Sequence, residues 1–436
     1  MKNKIKWACI QPLTGGMYLG AEEAIGHPAE WILSYKGLTD IKLDNDNNII
    51  NAGNEYNLVE YLRLHDRMPK YYQIYNKAMF DNNITDENPQ IYLDGILQTP
   101  DYENLDLVVA VPVCSGLSIV TKASDDTKAS RNNNMLFITN YTLSVIKPKI
   151  YIFENAPTLM SERGDEIRKE LKDIAIKFGY SLLFYKTDTS LHNNCQIRPR
   201  TFVIFQKHIS DSELSYTLSY EFVSNKIDVI SFFNDIPNTL PQSECVTTAL
   251  HNLMVLDYYN YKFGCNWMES QTKNINLIEQ LIKIDLLDDL INYVEQSDKW
   301  IYSEKEKPLS YFKHIKYKKS LGKNYYGDDI QLCKEKFPSI QFRSIHNMLH
   351  PSGKRLCTTR EYLSLMGMPN DFILYGDESN LAKIGQNVPV KTAKFIVEQA
   401  CNIINNWGSN EQLEKRIPIQ NEIFQDNTKQ IIKYDF

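Results

Sequence analysis

The chain has 436 residues, of which 43% are hydrophobic and 23% are charged, and its formal net charge is −6. This composition allows a large folded core in two lobes and excludes an intrinsically disordered chain. No run of about 18 apolar residues is present, so we expect no membrane-spanning helix. The basic N-terminal residues lead directly into an apolar strand without the long apolar stretch of a signal peptide, which predicts a cytoplasmic protein.

The elements of the first half of the chain alternate between apolar strands and amphipathic helices. A strand at Ile5–Ile10 is followed by the loop Pro12–Gly16 and a helix at Met17–Ile25. This opening suits a nucleotide-type cofactor, because glycines let a ligand approach the backbone and a helix N-terminus offers free N–H groups. Further along we predict strands at Glu30–Ser34, Gln90–Leu93, Asp106–Val111, Ser181–Tyr185 and Thr201–Phe205, helices at Asn57–Tyr75 and Glu162–Phe178, and a surface loop over 40–55. The alternation predicts an α/β fold with a doubly wound, mostly parallel sheet.

The pattern changes after residue 206. Strands are expected at Leu214–Tyr220 and Ile227–Phe233, and helices at Thr247–Tyr261, Ile275–Gln296 and, near the end, Lys391–Ile404. We therefore divide the chain into a catalytic domain, a smaller inserted domain and a segment that returns to the catalytic domain, with the ranges 1–206, 207–340 and 341–436.

The eight cysteines are scattered from Cys9 to Cys401 without a Cys-x-x-Cys pair. This spacing is typical of reduced thiols and predicts neither a disulfide framework nor a metal site. A basic stretch at 311–323 carries five lysines, interleaved aromatic residues and no acid. It is either a face for nucleic-acid phosphates or an ordinary solvated helix or loop.

Candidate chemical residues follow the apolar strands. Cys114 lies in the loop Val111–Ser118, directly after a strand, where the loop exposes the sulfur above the carboxyl edge of the sheet. Glu154 and Asn155 end the next strand, and Arg198 and Arg200 precede the strand that follows. A cysteine, a carboxylic acid and cationic donors form a set that can activate a pyrimidine, because a thiolate added to C6 enriches C5 while an acid hydrogen-bonds N3.

In this order the motifs resemble the DNA (cytosine-5) methyltransferase family. The family's Pro-Pro-Cys-Gln-Gly-Phe-Ser resembles Pro112–Ser118, its Glu-Asn-Val resembles Glu154–Ala156, its Gln-x-Arg-x-Arg matches Gln196–Arg200, and its Gly-Asn-x-Val-Pro-Pro resembles 385–390. Two further stretches, 131–149 and 355–372, are similar to the helix before the Glu-Asn strand and to the Arg-x-Leu-Thr-x-Arg-Glu element. The resemblance spans residues 1 to about 400, apart from the middle third of the chain.

The resemblance implies a class I, Rossmann-like methyltransferase fold with an inserted target-recognition domain. It implies transfer of a methyl group from S-adenosylmethionine to C5 of a cytosine flipped out of double-stranded DNA, through an adduct of the Cys114 thiolate at C6. Glu154 would act at N3, Arg198 would contact the base, Arg200 would support the Cys loop and Asn155 would orient it. No metal or membrane is implied, restriction-modification is the associated role, and a monomeric state is compatible with the sequence.

Further sites follow from the same resemblance. The implied cofactor-binding residues are Thr14, Gly15, Gly16, Met17, Ser34, Tyr35, Asp94, Pro112, Asn387 and Val388. The implied DNA-binding residues are Ser118, Arg131, Lys313, Lys316, Lys318 and Lys319.

The cofactor end departs from the family pattern. Gln11 stands in place of an aromatic residue, Leu13 in place of the first glycine, and Ser34 or Tyr35 in place of the acid that ends the second strand. Two alternatives therefore stay open. One is an enzyme of the same fold that uses an altered cofactor or pyrimidine substrate, and the other is a non-catalytic DNA- or protein-binding relative. An RNA target for the same chemistry also stays open.

Overall fold

The computed structural model describes residues 4–35, 38–75, 101–112, 117, 134–208, 214–216, 221, 223–322, 330–340, 345–377, 380–408, 416–418 and 422–435. The predicted strand Gln90–Leu93 and the site residues Asp94, Cys114, Ser118 and Arg131 lie outside the described residues.

A central sheet of nine strands organises the described residues. Numbered along the chain, they are β1 Trp7–Ile10, β2 Trp31–Tyr35, β3 Tyr71–Tyr75, β4 Leu107–Ala110, β5 Ile150–Asn155, β6 Tyr180–Asp188, β7 Pro199–Lys207, β8 Glu422–Asp426 and β9 Ile431–Asp435. Their order across the sheet is β9-β8-β6-β7-β5-β4-β1-β2-β3. The strands β1 to β5 are parallel to one another, whereas β7 runs antiparallel to both β5 and β6.

The inner strands are buried on both faces, which explains why their sequences are apolar without alternation. Trp7 and Cys9 of β1 belong to one hydrophobic core, while Ala8 and Ile10 belong to the core on the opposite face. The chain order reverses at β1, because β2 lies on one side and β4 on the other. In such sheets ligands bind in the crevice at the carboxyl ends of the strands next to this reversal. The predicted α/β fold is confirmed.

Thirteen helices are described. They are α1 Gly16–Ile25, α2 Tyr56–Leu64, α3 at 134–141 with a π-helical continuation Thr142–Ile146, α4 Asp165–Phe178, α5 Val229–Asn234, α6 Leu250–Phe263, α7 Trp267–Ser270, α8 Leu277–Lys283, α9 Leu287–Gln296, α10 Tyr302–Ser320, α11 Thr359–Leu365, α12 Leu381–Ile384 and α13 Val390–Asn405. None of the helices in the described ranges is long and apolar enough to cross a bilayer.

Short strands outside the sheet tie distant segments together. Ile41–Leu43 pairs with Ile49–Ala52, Leu214–Tyr216 with Arg416–Pro418, His192–Asn194 with Asn225–Lys226, and Gln331–Leu332 with both Ile275–Asn276 and Met348–Leu349. The described part of the inserted region, from 223 to 322, is mainly helical.

The structure corrects four sequence predictions. Residues 40–55 contain a hairpin rather than only a loop. The predicted helix Asn57–Tyr75 is α2 followed by β3, because Asp66 has a φ of 53° just after the helix and Pro69 then prevents a new helical turn. Ile227–Phe233 is not a strand; Asp228 accepts a hydrogen bond from the Ser231 N–H and caps α5. The helix predicted over 275–296 is divided into α8 and α9 at Asp285, which has a φ of 58°.

The last long helix packs against the first. A Cβ atom built on Gly20 of α1 would lie 2.6 Å from Cβ of Ala393 and 2.6 Å from the carbonyl oxygen of Val390, both on α13. The two helices therefore approach more closely than any side chain at position 20 permits. This contact brings the C-terminal segment back onto the N-terminal loop and confirms the predicted helix at Lys391–Ile404.

Gly20→Ala should lower the free energy of unfolding by about 1–3 kcal/mol, because the new methyl group overpacks the α1–α13 contact. Denaturant titration measures this change. Glu23→Ala on the exposed face of α1 is the control and should cost about 1 kcal/mol or less, because it removes only an exposed ion pair with Lys394. Equal effects of the two substitutions would contradict the close packing.

Candidate active site

The carboxyl ends of β1, β4 and β5 form one edge of the sheet, and the start of β7 joins them. Because β7 is antiparallel to β5, its Thr201 pairs with Asn155 and its Phe202 pairs with Glu154. Arg200 therefore lies at the same edge as the Glu-Asn pair. The loop that carries Cys114 starts at the same edge, since Pro112 follows β4 directly.

Glu154 and Arg200 form a buried ion pair. Nε of Arg200 lies 2.6 Å from Oε1 of Glu154, and both side chains are largely shielded from solvent. Burial raises the pKa of the Glu154 carboxyl above its ordinary value, while the charges of Arg200 and Arg198 and a hydrogen bond from Arg200 act in the opposite direction. A carboxyl group in this position can hold a proton or exchange one with a bound base.

The guanidinium of Arg198 is buried and donates to four oxygen atoms of the protein. Nη1 donates to Ser339 Oγ at 3.2 Å and to the Ile340 carbonyl at 3.0 Å. Nη2 donates to the Gly385 carbonyl at 2.6 Å and to the Asn387 carbonyl at 2.9 Å. The described bonds of Arg198 join protein segments, and Arg200 contacts Glu154. The roles predicted for the two arginines, at the base and at the Cys loop, stay predictions.

Asn155 and Thr158 hold the turn after β5. Oδ1 of Asn155 accepts the Ala156 N–H at 2.8 Å, and its Nδ2 lies 3.6 Å from the sulfur of Met135 on α3. Thr158 donates its hydroxyl proton to the Leu117 carbonyl, with an oxygen–oxygen distance of 2.6 Å. Leu117 belongs to the segment that follows Cys114, so Thr158 anchors that segment. Sequence analysis missed Thr158, because a threonine three residues after a strand carries no distinctive signal.

The loop after β1 has left-handed backbone at three positions, although Leu13 stands in place of a glycine of the family pattern and Gln11 in place of an aromatic residue. Gln11 and Leu13 both have a φ of 52°, and Gly15 has a φ of 107°. Left-handed backbone of this kind favours glycine, so Leu13 adopts it at some cost.

The predicted cofactor residues of this loop and of the closing segment meet one another. Thr14 is buried and donates its hydroxyl proton to the Lys383 carbonyl at 3.1 Å. The Gly16 N–H donates to Oδ1 of Asn387 at 2.7 Å. A Cβ atom on Gly16 would lie 1.7 Å from the Val388 carbonyl oxygen, so only glycine fits there. The side chain of Met17 points into the core.

A buried acid lies at the carboxyl end of β2, where sequence analysis found none. Glu55, just before α2, is fully buried, and its carboxyl accepts a hydrogen bond from the Tyr72 hydroxyl at 3.3 Å. Burial raises its pKa to about 8, although Ser34, Tyr72 and the Leu13 backbone favour the charged form. The hairpin 41–52 separates Glu55 from β2 in sequence, which is why the strand end alone did not reveal it. The acid directly before a helix was the available signal.

The crevice fits a ligand that bears hydroxyl groups. Oε1 of Glu55 and Oγ of Ser34 are both buried without a hydrogen-bond partner of good geometry. Buried polar atoms normally have partners, so each of these atoms can accept or donate a hydrogen bond to a bound molecule. Of the other predicted cofactor residues, Tyr35 ends β2 and Pro112 follows β4 at the same edge.

The predicted DNA-binding lysines lie on α10, and three of them contact acids of the neighbouring helical segment. Lys313 lies 2.7 Å from Glu295, Lys316 lies 2.6 Å from Asp288, and Lys319 lies 3.7 Å from Asp285. The part of the basic stretch from 311 to 320 is therefore helical, and three of its four lysines lie beside acids. DNA binding by these lysines and by Lys318 stays a prediction.

All seven cysteines of the described ranges are free thiols. The same ranges contain no group of three or more His, Cys, Asp or Glu side chains arranged to hold a metal ion.

The sheet order and the edge that it builds are those of a class I methyltransferase, and comparison with known proteins identifies the family. The profile of the C-5 cytosine-specific DNA methylase family matches residues 52–402. The chain belongs to this family.

Individual proteins resemble the chain more distantly. The Type II methyltransferase M1.HphI of Haemophilus parahaemolyticus is 20% identical over 345 residues, which cover 78% of this chain and 80% of that protein. Among solved structures, a candidate DNA modification methyltransferase encoded within an E. coli prophage is 16% identical, with a TM-score of 0.49, and covers 92% of this chain and 99% of its own. The Entamoeba histolytica methyltransferase EhMeth is 13% identical, with a TM-score of 0.47, and covers 93% of this chain and 98% of its own.

Family membership establishes the general activity. The protein is an enzyme, a DNA (cytosine-5) methyltransferase, and its substrate is DNA. Members of the family take the methyl group from S-adenosylmethionine.

The unusual state of Glu55 has a consequence for stability. Its pKa in the folded protein, about 8, exceeds the ordinary value of 4.5, so the folded state binds the proton more tightly than the unfolded state. Wild-type stability should therefore fall as the pH rises from about 4.5 to about 8. Glu55→Gln lacks this titration, so its stability relative to wild type should rise across this window by on the order of 5 kcal/mol. Denaturant titrations of the ligand-free proteins at several pH values measure the difference, and parallel pH profiles would contradict the assignment.

Proposed function

We propose that the enzyme methylates C5 of a cytosine flipped out of duplex DNA, with Cys114 as nucleophile and Glu154 as the acid at N3. The observation that carries the proposal is the buried Glu154–Arg200 pair at the sheet edge. The loop that bears Cys114 leaves the neighbouring strand at this same edge. A duplex base is stacked and inaccessible, so the base must leave the helix to reach a pocket of this kind.

The proposed reaction balances without a metal or an oxidant. The Cys114 thiolate forms a bond to C6, and the electron pair of the C5–C6 double bond moves toward C5 while Glu154 donates a hydrogen bond or proton to N3. C5 then forms a bond to the methyl group, while the methyl–sulfur bond of the donor breaks and leaves its electron pair on that sulfur, and any proton on N3 returns to Glu154. A base removes the C5 proton, the double bond re-forms and the thiolate leaves C6. The sequence and the described residues assign no base to that last proton transfer.

Arg200 suits a role at the base, because its guanidinium already lies against Glu154. In this position it orients the carboxyl group and offers further N–H donors to an oxygen of the pyrimidine. Arg198 lies two residues earlier, and its described contacts are with protein carbonyls. The proposal therefore gives Arg200, rather than Arg198, the contact with the base.

S-adenosylmethionine supplies a methyl group on a positively charged sulfur, which makes that methyl open to attack by carbon. In this chain the crevice beside β1 and β2 would hold it. Glu55 and Ser34 would bind its hydroxyl groups, and the loop 11–16 would approach it through the backbone. The sequence shows no acid directly at the end of β2, and this absence favours an altered cofactor. Glu55 would supply that acid, so the proposal keeps S-adenosylmethionine.

In this proposal the remaining parts of the chain bind the DNA. Residues 207–340 would read the target sequence, and Ser118 and Arg131 would lie on a loop that closes over the base. The Type II relative favours a role in restriction-modification. We expect no participation of a metal or a membrane.

Cys114→Ser should abolish methylation of deoxycytidine while duplex DNA still binds, because the substitution removes the nucleophile and little of the contact surface. Glu154→Gln should lower kcat by about 10²–10⁴-fold, the range for loss of general acid catalysis. Nucleoside analysis of DNA after incubation with S-adenosylmethionine measures both effects. Cys265→Ser, at an exposed cysteine of the inserted region, is the matched control. Wild-type activity in Cys114→Ser would remove Cys114 from the mechanism.

At a pH above 8, where Glu55 is ionised, Glu55→Gln should weaken binding of S-adenosylhomocysteine by about tenfold, because a hydrogen bond to a charged acceptor contributes about 1.5–3 kcal/mol. Isothermal titration calorimetry on the DNA-free enzyme measures this without turnover. Glu60→Gln, on α2 beside Arg63, is the control and should leave the affinity close to wild type. An unchanged affinity in Glu55→Gln would exclude Glu55 from the cofactor site.

A further inference from the structure

Arg198 connects three segments that are distant in sequence. It starts from the extended stretch before β7, and its guanidinium reaches Ser339 and Ile340 at the end of the inserted region. It also reaches the carbonyls of Gly385 and Asn387 in the closing segment. Only 1% of the residue is exposed. A planar fork of donors suits this task, because it can bind several carbonyl oxygens in fixed directions.

The closing segment, residues 385–388, also contacts the cofactor loop, residues 11–16. Asn387, whose carbonyl accepts from Arg198, also accepts the Gly16 N–H through its side chain. Gly16 begins α1, and its Cα lies so close to the Val388 carbonyl that no side chain fits. A shift of the loop 11–16 must therefore move segment 385–388, and that movement changes the hydrogen bonds of Arg198.

The other end of the connection is the base pocket, by which we mean the sheet edge around Glu154 and Arg200. Arg200, on β7, follows Arg198 by two residues and pairs with Glu154. The charge of Arg198 also acts on the Glu154 carboxyl directly. The two ends of the path are therefore the two sites that the methyl transfer must bring together.

We propose that Arg198 is a positioning residue that couples occupancy of the cofactor crevice to the base pocket, so that each ligand binds more tightly when the other is present. The proposal rests on the function proposed above. Because coupling of this kind is reciprocal, it is measurable as a change in the affinity of one ligand caused by the other.

The test compares the Kd of S-adenosylhomocysteine with and without a short duplex that contains the sequence methylated by the wild-type enzyme. Wild type should bind S-adenosylhomocysteine about tenfold more tightly with the duplex. Arg198→Lys should reduce this ratio to near one, because an ammonium group keeps the charge but cannot bind four oxygens in the same directions. Asn387→Ala should do the same by removing the bond to Gly16, and it serves if Arg198→Lys does not fold.

Arg360→Lys is the matched control. Arg360 is equally buried and donates to the carbonyls of Pro241, Pro369 and Phe372, none of which belongs to the cofactor loop or the segment 385–388. This variant should lose thermal stability but keep the wild-type affinity ratio. A merely structural Arg198 would give the same ratio in both arginine variants, and that result would overturn the proposal, as would a wild-type ratio of one.

Failure of the proposed function and failure of the coupling through Arg198 give different experimental results. Wild-type methylation of the duplex is measured first, and its absence would overturn the proposed function together with this inference. Methylation by wild type combined with an unchanged ratio in Arg198→Lys and Asn387→Ala would overturn the inference alone.

Discussion

The ion pair between Glu154 and Arg200 is the interaction on which the arrangement of the site depends. A carboxylate buried at the end of a strand is costly unless a cation lies beside it, and removal of one partner of such a pair costs about 3–5 kcal/mol. The chain meets this requirement through topology. Because β7 runs antiparallel to β5, its first residues lie at the carboxyl end of β5, and Arg200 reaches Glu154 without a long excursion of the chain.

A second constraint is the close packing of the C-terminal part of the chain against its N-terminal part. The segment 385–388 and helix α13 come from the far end of the sequence, yet they pack on the loop and helix that follow the first strand. Glycines at 16 and 20 make this possible, since any side chain there would meet the backbone of residues 388 or 390. The cofactor crevice is thus built from both ends of the chain, with the inserted region between them. Arg198 lies where these parts meet.

Much of the fold could be predicted from the sequence, because the buried parallel strands have continuous apolar sequences and the loops between them carry glycine and proline. The chemical pair Glu154–Asn155 was predicted from its position at the end of such a strand. Which arginine contacts Glu154 could not be predicted, because Arg198 and Arg200 are only two residues apart and only the packing of 339–340 and 385–387 distinguishes them.

The position of Glu55 at the cofactor crevice could not be predicted from the sequence. Its contribution to the end of β2 depends on a hairpin that folds away from the sheet and returns, so the distance in sequence concealed a contact in space. The lysines of α10 show a third limit, because the acids that face them come from residues 285–295, a separate segment of the sequence. Composition alone could not show that their charge is compensated.

The most direct test of the account is a covalent trap. Duplex DNA that carries 5-fluorocytosine at the methylated position cannot complete the reaction, because fluorine cannot leave C5 as a cation and the thiol–C6 bond therefore persists. After incubation with S-adenosylmethionine, mass spectrometry of the digested complex should find the modified base, with its added methyl group, on the peptide that contains Cys114. A trapped base on another residue, or methylation of ordinary cytosine without any trapped complex on the fluorinated DNA, would contradict the account.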